Sequence, residues 1–155
     1  MLDFKTINLS KHRDVAIQFR KDSFLVSFGD LTEFGDENEY IKRLEEKINE
    51  FPSGFVMVEK DGEWIGQLEL SVKEYEGRKI GYVNLYYLVP EFRGNGIGKE
   101  LHQYASNFFT ANHLNEFHLR VSPSNLAALK FYHKLGMEKI GTELDGKVIR
   151  MRGVL

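Results

Sequence analysis

Three glycines, Gly94, Gly96 and Gly98, alternate directly after the apolar run Val83–Val89 and directly before an amphipathic stretch that starts near Lys99. Glycine lets a backbone take positive φ and approach a ligand closely, so that several amides turn toward one anion. The free N–H groups and positive dipole end of a following helix add to that preference. A pyrophosphate is the ligand such a turn favours. Neither familiar nucleotide pattern fits: the dinucleotide spacing would need a glycine where Lys99 or Leu101 stands, and in the Walker spacing Lys99 should precede Ser or Thr but precedes Glu100. The bland reading is a turn that only tightens a strand–helix connection. Other chemistries are narrowed by what the chain lacks. It has no cysteine, which excludes a thiolate nucleophile, a thiolate zinc site and a disulfide scaffold. The five histidines, His12, His102, His113, His118 and His133, show no metal-ligand spacing on one helix, so no metal is expected.

These elements must be positioned by the rest of the chain, which at 155 residues is expected to form a single domain over 1–155. Leu2–Leu9 alternates as a first strand. Ser10 is the expected N-cap of a helix over about 11–27 with Val15, Phe19 and Val26 on its apolar side, and Tyr40, Leu44 and Ile48 mark a second helix over 37–51. Asp61-Gly62 joins strands 55–60 and 63–72 as a hairpin, and Glu76-Gly77 leads into a long strand, 79–89. A helix to about Asn112, a strand 116–121, a helix 124–135 and a closing hairpin around Asp145-Gly146 complete the order. The expected fold is α/β: a mixed, mostly antiparallel sheet of about seven strands, with a central parallel strand–helix–strand step and flanking helices. The pocket is expected beyond the C-terminal end of the strand at that parallel step.

At the glycine turn the chain resembles the GNAT superfamily of N-acetyltransferases. Arg93-Gly94-Asn95-Gly96-Ile97-Gly98 matches its Arg/Gln-x-x-Gly-x-Gly/Ala signature. Asn125-Leu126-Ala127-Ala128, Tyr132 and Gly136-Met137 are similar to its Asn-x-x-Ala…Tyr…Gly-Phe stretch, with Met137 in place of the commoner Phe. The resemblance implies acetyl-CoA as cosubstrate, its pyrophosphate on the amides of Arg93, Gly94, Asn95, Gly96, Ile97, Gly98 and Lys99. It implies a pantetheine arm beside Tyr86, Tyr87 and Leu88, with a strand bulge at that point turning the Leu88 N–H toward the thioester oxygen. It gives Asn125 a hydrogen bond to pantetheine, beside that residue's ordinary role as a helix cap. Tyr132 would protonate the departing thiolate, a role suited to a phenol with ordinary pKa near 10 against about 8.5 for a thiol.

The general base departs from the family pattern. An acid is common four or six places before Leu88, where this chain has Asn84 and Tyr82. Glu69 is the best substitute. Alternation places it with Ile65, Gln67 and Ser71, opposite Trp64, Gly66, Leu68, Leu70 and Val72, facing either the cleft or water; a water chain is the alternative base. Whether Tyr82, Tyr86 and Tyr87 line the acceptor pocket or the core stays open.

Charge is uneven: eight acidic residues lie between Asp30 and Glu50 against Lys42, Arg43 and Lys47, and from Arg120 onward seven basic residues face three acidic ones. Where the first two helices wall an acceptor site, as in similar folds, that acidity would draw a cationic amine. The expected reaction is acetyl transfer from acetyl-CoA to a primary amine of a small molecule or peptide by direct attack in a ternary complex. The alternative is a non-catalytic acyl-CoA-binding or regulatory module on the same fold. With 21 basic and 23 acidic residues no nucleic-acid partner is expected. No apolar run suits a membrane span, a cytoplasmic location is expected, and a homodimer is common among similar proteins.

Overall fold

The computed structural model describes residues 1–155. In chain order the elements are β1 (Leu2–Thr6), α1 (Leu9–Phe28), α2 (Glu37–Glu50), β2 (Phe55–Lys60), β3 (Glu63–Tyr75), β4 (Arg78–Leu88), a 3₁₀ turn (Pro90–Phe92), α3 (Ile97–Ala111), β5 (Glu116–Val121), α4 (Leu126–Lys134), β6 (Glu138–Glu143) and β7 (Val148–Val154). The seven strands form one sheet in the order β1-β2-β3-β4-β5-β7-β6. Only β4 and β5 run parallel, joined by the α3 crossover; every other pair is antiparallel. The α/β architecture expected from the sequence is therefore the one observed.

Helices cover both faces. Leu101, Ala105, Phe108 and Phe109 of α3 form an i, i+4, i+7, i+8 stripe buried on one face against Val56, Leu68, Leu70, Val83 and Phe117. Ala128 and Tyr132 of α4 pack on the same core. On the other face α1 and α2 bury Ala16, Ile17, Phe19, Tyr40 and Leu44 against Phe55, Met57, Leu85 and Tyr87. That second core reaches across β2 to β4 and does not extend over β5, β7 and β6.

Local details correct three expectations. The cap of α1 is Asn8, whose side chain accepts from the Ser10 N–H, while the Asn8 N–H donates to His12 Nδ1. Such reciprocal capping starts the helix two residues earlier than Ser10 would, and an N-cap is worth about 1 kcal/mol. Val26 is 48% exposed, because the buried stripe of α1 runs through His12, Ala16 and Phe19 and ends before it. The third correction concerns β3. Val58 pairs with Gly66 but Glu59 with Trp64, so Ile65 is an extra residue. That bulge puts Ile65 in the α3 core and Trp64 on the α1/α2 side, against His12. Trp64 and Ile65 thus exchange the faces that simple alternation assigns them. The β3–β4 strands also run on to meet at Glu76-Gly77, where φ of +48° and +79° make a two-residue hairpin turn.

Candidate active site

The site is built where β4 changes partner. Glu69 pairs with Leu85 and Leu70 with Val83, leaving Asn84 as a bulged residue. Pairing with β5 covers Gly81, Tyr82 and Val83 and stops there, one residue before the bulge. A bulge bends its strand and increases its twist, so from Asn84 to Leu88 the β5-side edge of β4 has no strand partner. The bulge lies four residues before Leu88, earlier than the Tyr86–Leu88 position the resemblance implies. Beyond it the two parallel strands are no longer paired at their C-terminal ends, the place where ligands of open α/β sheets bind.

Past Leu88 the chain turns through the 3₁₀ turn into the glycine loop. Gly94 and Gly96 both have φ of +81°, and Gly96 is the N-cap of α3 with no side-chain cap. The N–H of Arg93 is bonded to the Pro90 carbonyl and that of Lys99 to Gly96. The five amides between them, Gly94 to Gly98, donate to nothing in the chain. The seven amides expected to hold an anion thus reduce to five. A Cβ on Gly98 would lie 3.0 Å from the Phe131 ring, so this glycine serves the packing of α3 on α4, whereas Gly94 and Gly96 serve the backbone turn. Arg93 does more than supply an amide. Its Nε donates to the Leu88 carbonyl at 2.7 Å, its guanidinium lies 5.5 Å from the Tyr87 ring centre, and Nη2 is 3.9 Å from Asp22. It ties the loop to the end of β4 and to α1.

The strand end splits between the faces. Tyr87 lies in the α1/α2 core, stacked on Phe19 at 4.7 Å and donating its hydroxyl to Asp22. Tyr86 and Leu88 lie on the α3/α4 side with Tyr132, whose ring centre is 6.3 Å from that of Tyr86. The Tyr86 hydroxyl is 3.3 Å from His102 Nδ1. Burial alone pushes the Tyr132 phenol up to about 12, so it is protonated throughout the neutral range. Asn125 caps α4, its Oδ1 accepting from the Ala128 N–H at 3.2 Å.

On the opposite face a row of polar side chains runs along β3. Glu69 is 4% exposed and accepts from the Tyr40 hydroxyl at 2.6 Å and from Gln67 Nε2 at 2.8 Å. It therefore faces the interior under α2 and not bulk water. Burial first, and then the Glu69 charge, raise the pKa of Tyr40 well above the ordinary phenolic value. Three buried polar atoms here have no partner in the chain: Gln67 Oε1, Ser71 Oγ and Asn84 Oδ1. Arg20 of α1 donates to the Asn84 carbonyl at 2.8 Å, holding the bulge from outside. The sequence reading did not find Tyr40, Arg20 and Asp22 as site residues. Tyr40 sits in an apolar row at successive i+4 steps and reads as core; a helical tyrosine above a mid-strand carboxylate is the available signal, visible only once the two are paired in space.

Comparison with known proteins decides the family. The model of the acetyltransferase (GNAT) family matches residues 19–137. The chain belongs to that family. An acetyltransferase of Pectobacterium atrosepticum is 31% identical over 106 residues, 67% of this chain and 71% of that protein. A mycothiol acetyltransferase of Streptomyces avermitilis is 36% identical over 93 residues, 60% of this chain but 30% of the relative's length. Among solved structures, PaiA N-acetyltransferase from Thermoplasma acidophilum, in complex with coenzyme A, superposes with a TM-score of 0.80 at 20% identity over 100% of this chain and 99% of that one. The fold of this GNAT chain is thus shared with its structural neighbours over its full length.

Proposed function

We propose that this chain transfers an acetyl group from acetyl-CoA to an amine, by direct attack while both substrates are bound. The observation that carries the reading is the set of five unclaimed amides, Gly94 to Gly98, at the start of α3, adjoining the unpaired edge of β4. Acetyl-CoA, when bound, supplies the activated thioester. Amides and a positive helix end fit its pyrophosphate, and a free strand edge fits an amide-bearing arm that hydrogen-bonds as a peptide does. Relatives named as acetyltransferases, and a structural neighbour in complex with coenzyme A, support this assignment.

The roles then follow from placement. The Leu88 N–H, at the free end of β4, stabilises charge developing on the thioester oxygen, an effect of a few kcal/mol for one donor. Tyr132 stays protonated to donate to the sulfur on departure. Asn125 keeps Nδ2 available for the arm while its Oδ1 caps α4. The amine loses its proton toward the other face. Glu69, fixed by Tyr40 and Gln67, is the acceptor of that proton. The unpartnered oxygens of Ser71 and Asn84 offer a water in such a route its polar partners. This joins the carboxylate and the water chain in one route.

Thermal unfolding with acetyl-CoA, CoA and NADPH in parallel tests the cofactor. A ligand at 100 times its Kd adds about 2.7 kcal/mol, or roughly 5–10 °C for a chain of this length. A rise with both CoA species and none with NADPH is expected; no rise with either CoA species refutes the proposal. Asn84, in the place of a common family acid, favours the second reading, an acyl-CoA-binding module. Saturable CoA binding without thiol release on any amine would establish that one instead.

A further inference from the structure

The apolar core under α1 and α2 does not extend over β5 and β7, and on that face Arg120, Arg150 and Arg152 stand among His118 and Glu116. Arg120 and Arg150 are direct cross-strand partners, and Arg120 follows Leu119, the last β5 residue paired with β4, so it stands beside the bulge at Asn84. Lys73 lies in the same β3 row as Glu69 and Ser71, and its ammonium is 4.0 Å from the Tyr82 ring centre. Together they border a cavity of about 100 Å³ closed on one side by Tyr75, whose ring lies 4.4 Å from the Arg150 guanidinium.

The arginines are held from behind. Glu143 accepts Nε of both, at 2.8 Å each. Arg150 is 8% exposed and donates Nη1 to Nδ1 of the fully buried His118 at 3.0 Å. That bond makes His118 neutral and an Nε2–H donor to Glu116, which lies 2.9 Å away. Arg150 is thereby aimed by a neutral imidazole as well as by the Glu143 carboxylate. Glu143 is paired with the two arginines, and Lys73 has no ion pair. Glu74, also bordering the cavity, makes no ion pair with any of them. A cluster of like charges beside a cleft is costly to the fold unless an anion completes it.

We propose that the acceptor carries a carboxylate or phosphate in addition to its amine, and that Lys73, Arg120 and Arg150 bind this oxyanion. The inference rests on the acetyl-transfer reading for the amine end. Strand spacing of about 4.8 Å puts Arg120 and Arg150 one and two strands, or about 5–10 Å, from the bulge at Asn84, while Lys73 stands level with Ile80, four residues or roughly 13 Å back along β4. The class is therefore a small amine with an oxyanion a few bonds from its nitrogen. Arginine forks suit both oxyanions equally. In the acidic segment Asp30–Glu50 three of the eight acids, Glu33, Glu37 and Glu50, are paired with Lys147, Lys21 and Lys47, and the draw of the other five on a polycation is what spermidine measures.

Matched acceptors separate the outcomes. Phosphoethanolamine against ethanolamine tests phosphate, β-alanine against propylamine tests carboxylate, and spermidine tests a polycation, all by thiol release from acetyl-CoA. One anionic member is expected to exceed its neutral partner at least tenfold in kcat/KM, and Lys73→Met to cut that ratio at least fivefold while the CoA-induced thermal shift is kept. Equal or better turnover of the neutral amines or spermidine overturns the proposal, as does a preference that survives Lys73→Met. Titration of the CoA complex with inorganic phosphate and acetate, followed by the Nε–H resonances of Arg120 and Arg150, reads the cluster without turnover. Saturable shifts lost in Lys73→Met are expected. If no amine reacts, acetyl transfer falls while these shifts still decide the cluster; absence of any shift overturns it.

Discussion

On the α3/α4 face the site is made of backbone: five amides, a positive helix end and one strand edge, with Tyr132 above them. On the α1/α2 face it is made of side chains drawn from separate segments, with Tyr40 over Glu69 and Arg20 on the bulge. The first arrangement comes from one stretch of chain, Asn84 to Lys99, and tolerates few residue types. The second needs α1, α2, β3 and β4 to have met. A ligand common to many enzymes suits the first, and a specific acceptor suits the second. Substitutions should therefore separate the two faces, with cofactor binding lost on one and turnover or acceptor choice changed on the other.

The largest effect is expected at the glycine loop. Gly96→Asp forces a non-glycine residue to φ of +81° and places a carboxylate among amides that attract anions. The Kd for CoA should rise more than 100-fold, read by calorimetry, with the fold retained by circular dichroism. Unchanged affinity would show that the loop is only a connection.

Tyr132→Phe comes next, on the same face but with the opposite signature. Losing a general acid typically costs 10²–10⁴ in rate, so kcat should fall about 100-fold with CoA affinity changed less than threefold. Since burial holds the phenol at about 12, no loss of its proton is expected below pH 10. A fall in kcat tracking a group near pH 8 would belong to another residue. Unchanged kcat in Tyr132→Phe removes it from the mechanism.

Glu69→Gln tests the other face. It keeps the shape and the bond from Tyr40 while removing the proton acceptor, so kcat should fall about 30-fold with CoA affinity unchanged. Tyr40→Phe removes one of the two donors that fix Glu69 and should cost less, about threefold. Equal losses in the two variants would mean that Glu69 is structural.

The faces also differ in how much could be read beforehand. The glycine turn, the parallel crossover and the Tyr132 register are local spacings, and such spacings survive into three dimensions because the backbone alone sets them. The placement of Trp64 and Ile65 was not legible: alternation assumes a continuous ladder, and one bulge residue exchanges their faces. Glu69 was found as a candidate but its surroundings were not, since Tyr40 lies 29 residues away. The pairing of Arg120 with Arg150 depends on β7 inserting between β5 and β6, an order that no local pattern encodes.

Ser71→Ala has the smallest expected effect and bears on how the polar row works. Ser71 is fully buried, its Oγ lacks a partner in the chain, and it lies between Glu69 and Lys73 on one face of β3. An unsatisfied buried hydroxyl costs about 1–3 kcal/mol, so in a dry site alanine would raise Tm by roughly 2–12 °C and leave kcat alone. A hydroxyl bridged by water on the route to Glu69 behaves differently: removing it strands that water, Tm stays within a degree or falls, and kcat drops a few-fold. The second result is expected, because Asn84 Oδ1 and Gln67 Oε1 are also buried and unpartnered and three such groups in a dry core would together cost a large part of a typical 5–15 kcal/mol stability. A higher Tm with unchanged kcat would make the row a structural cost and leave Glu69 to take the proton without a relay.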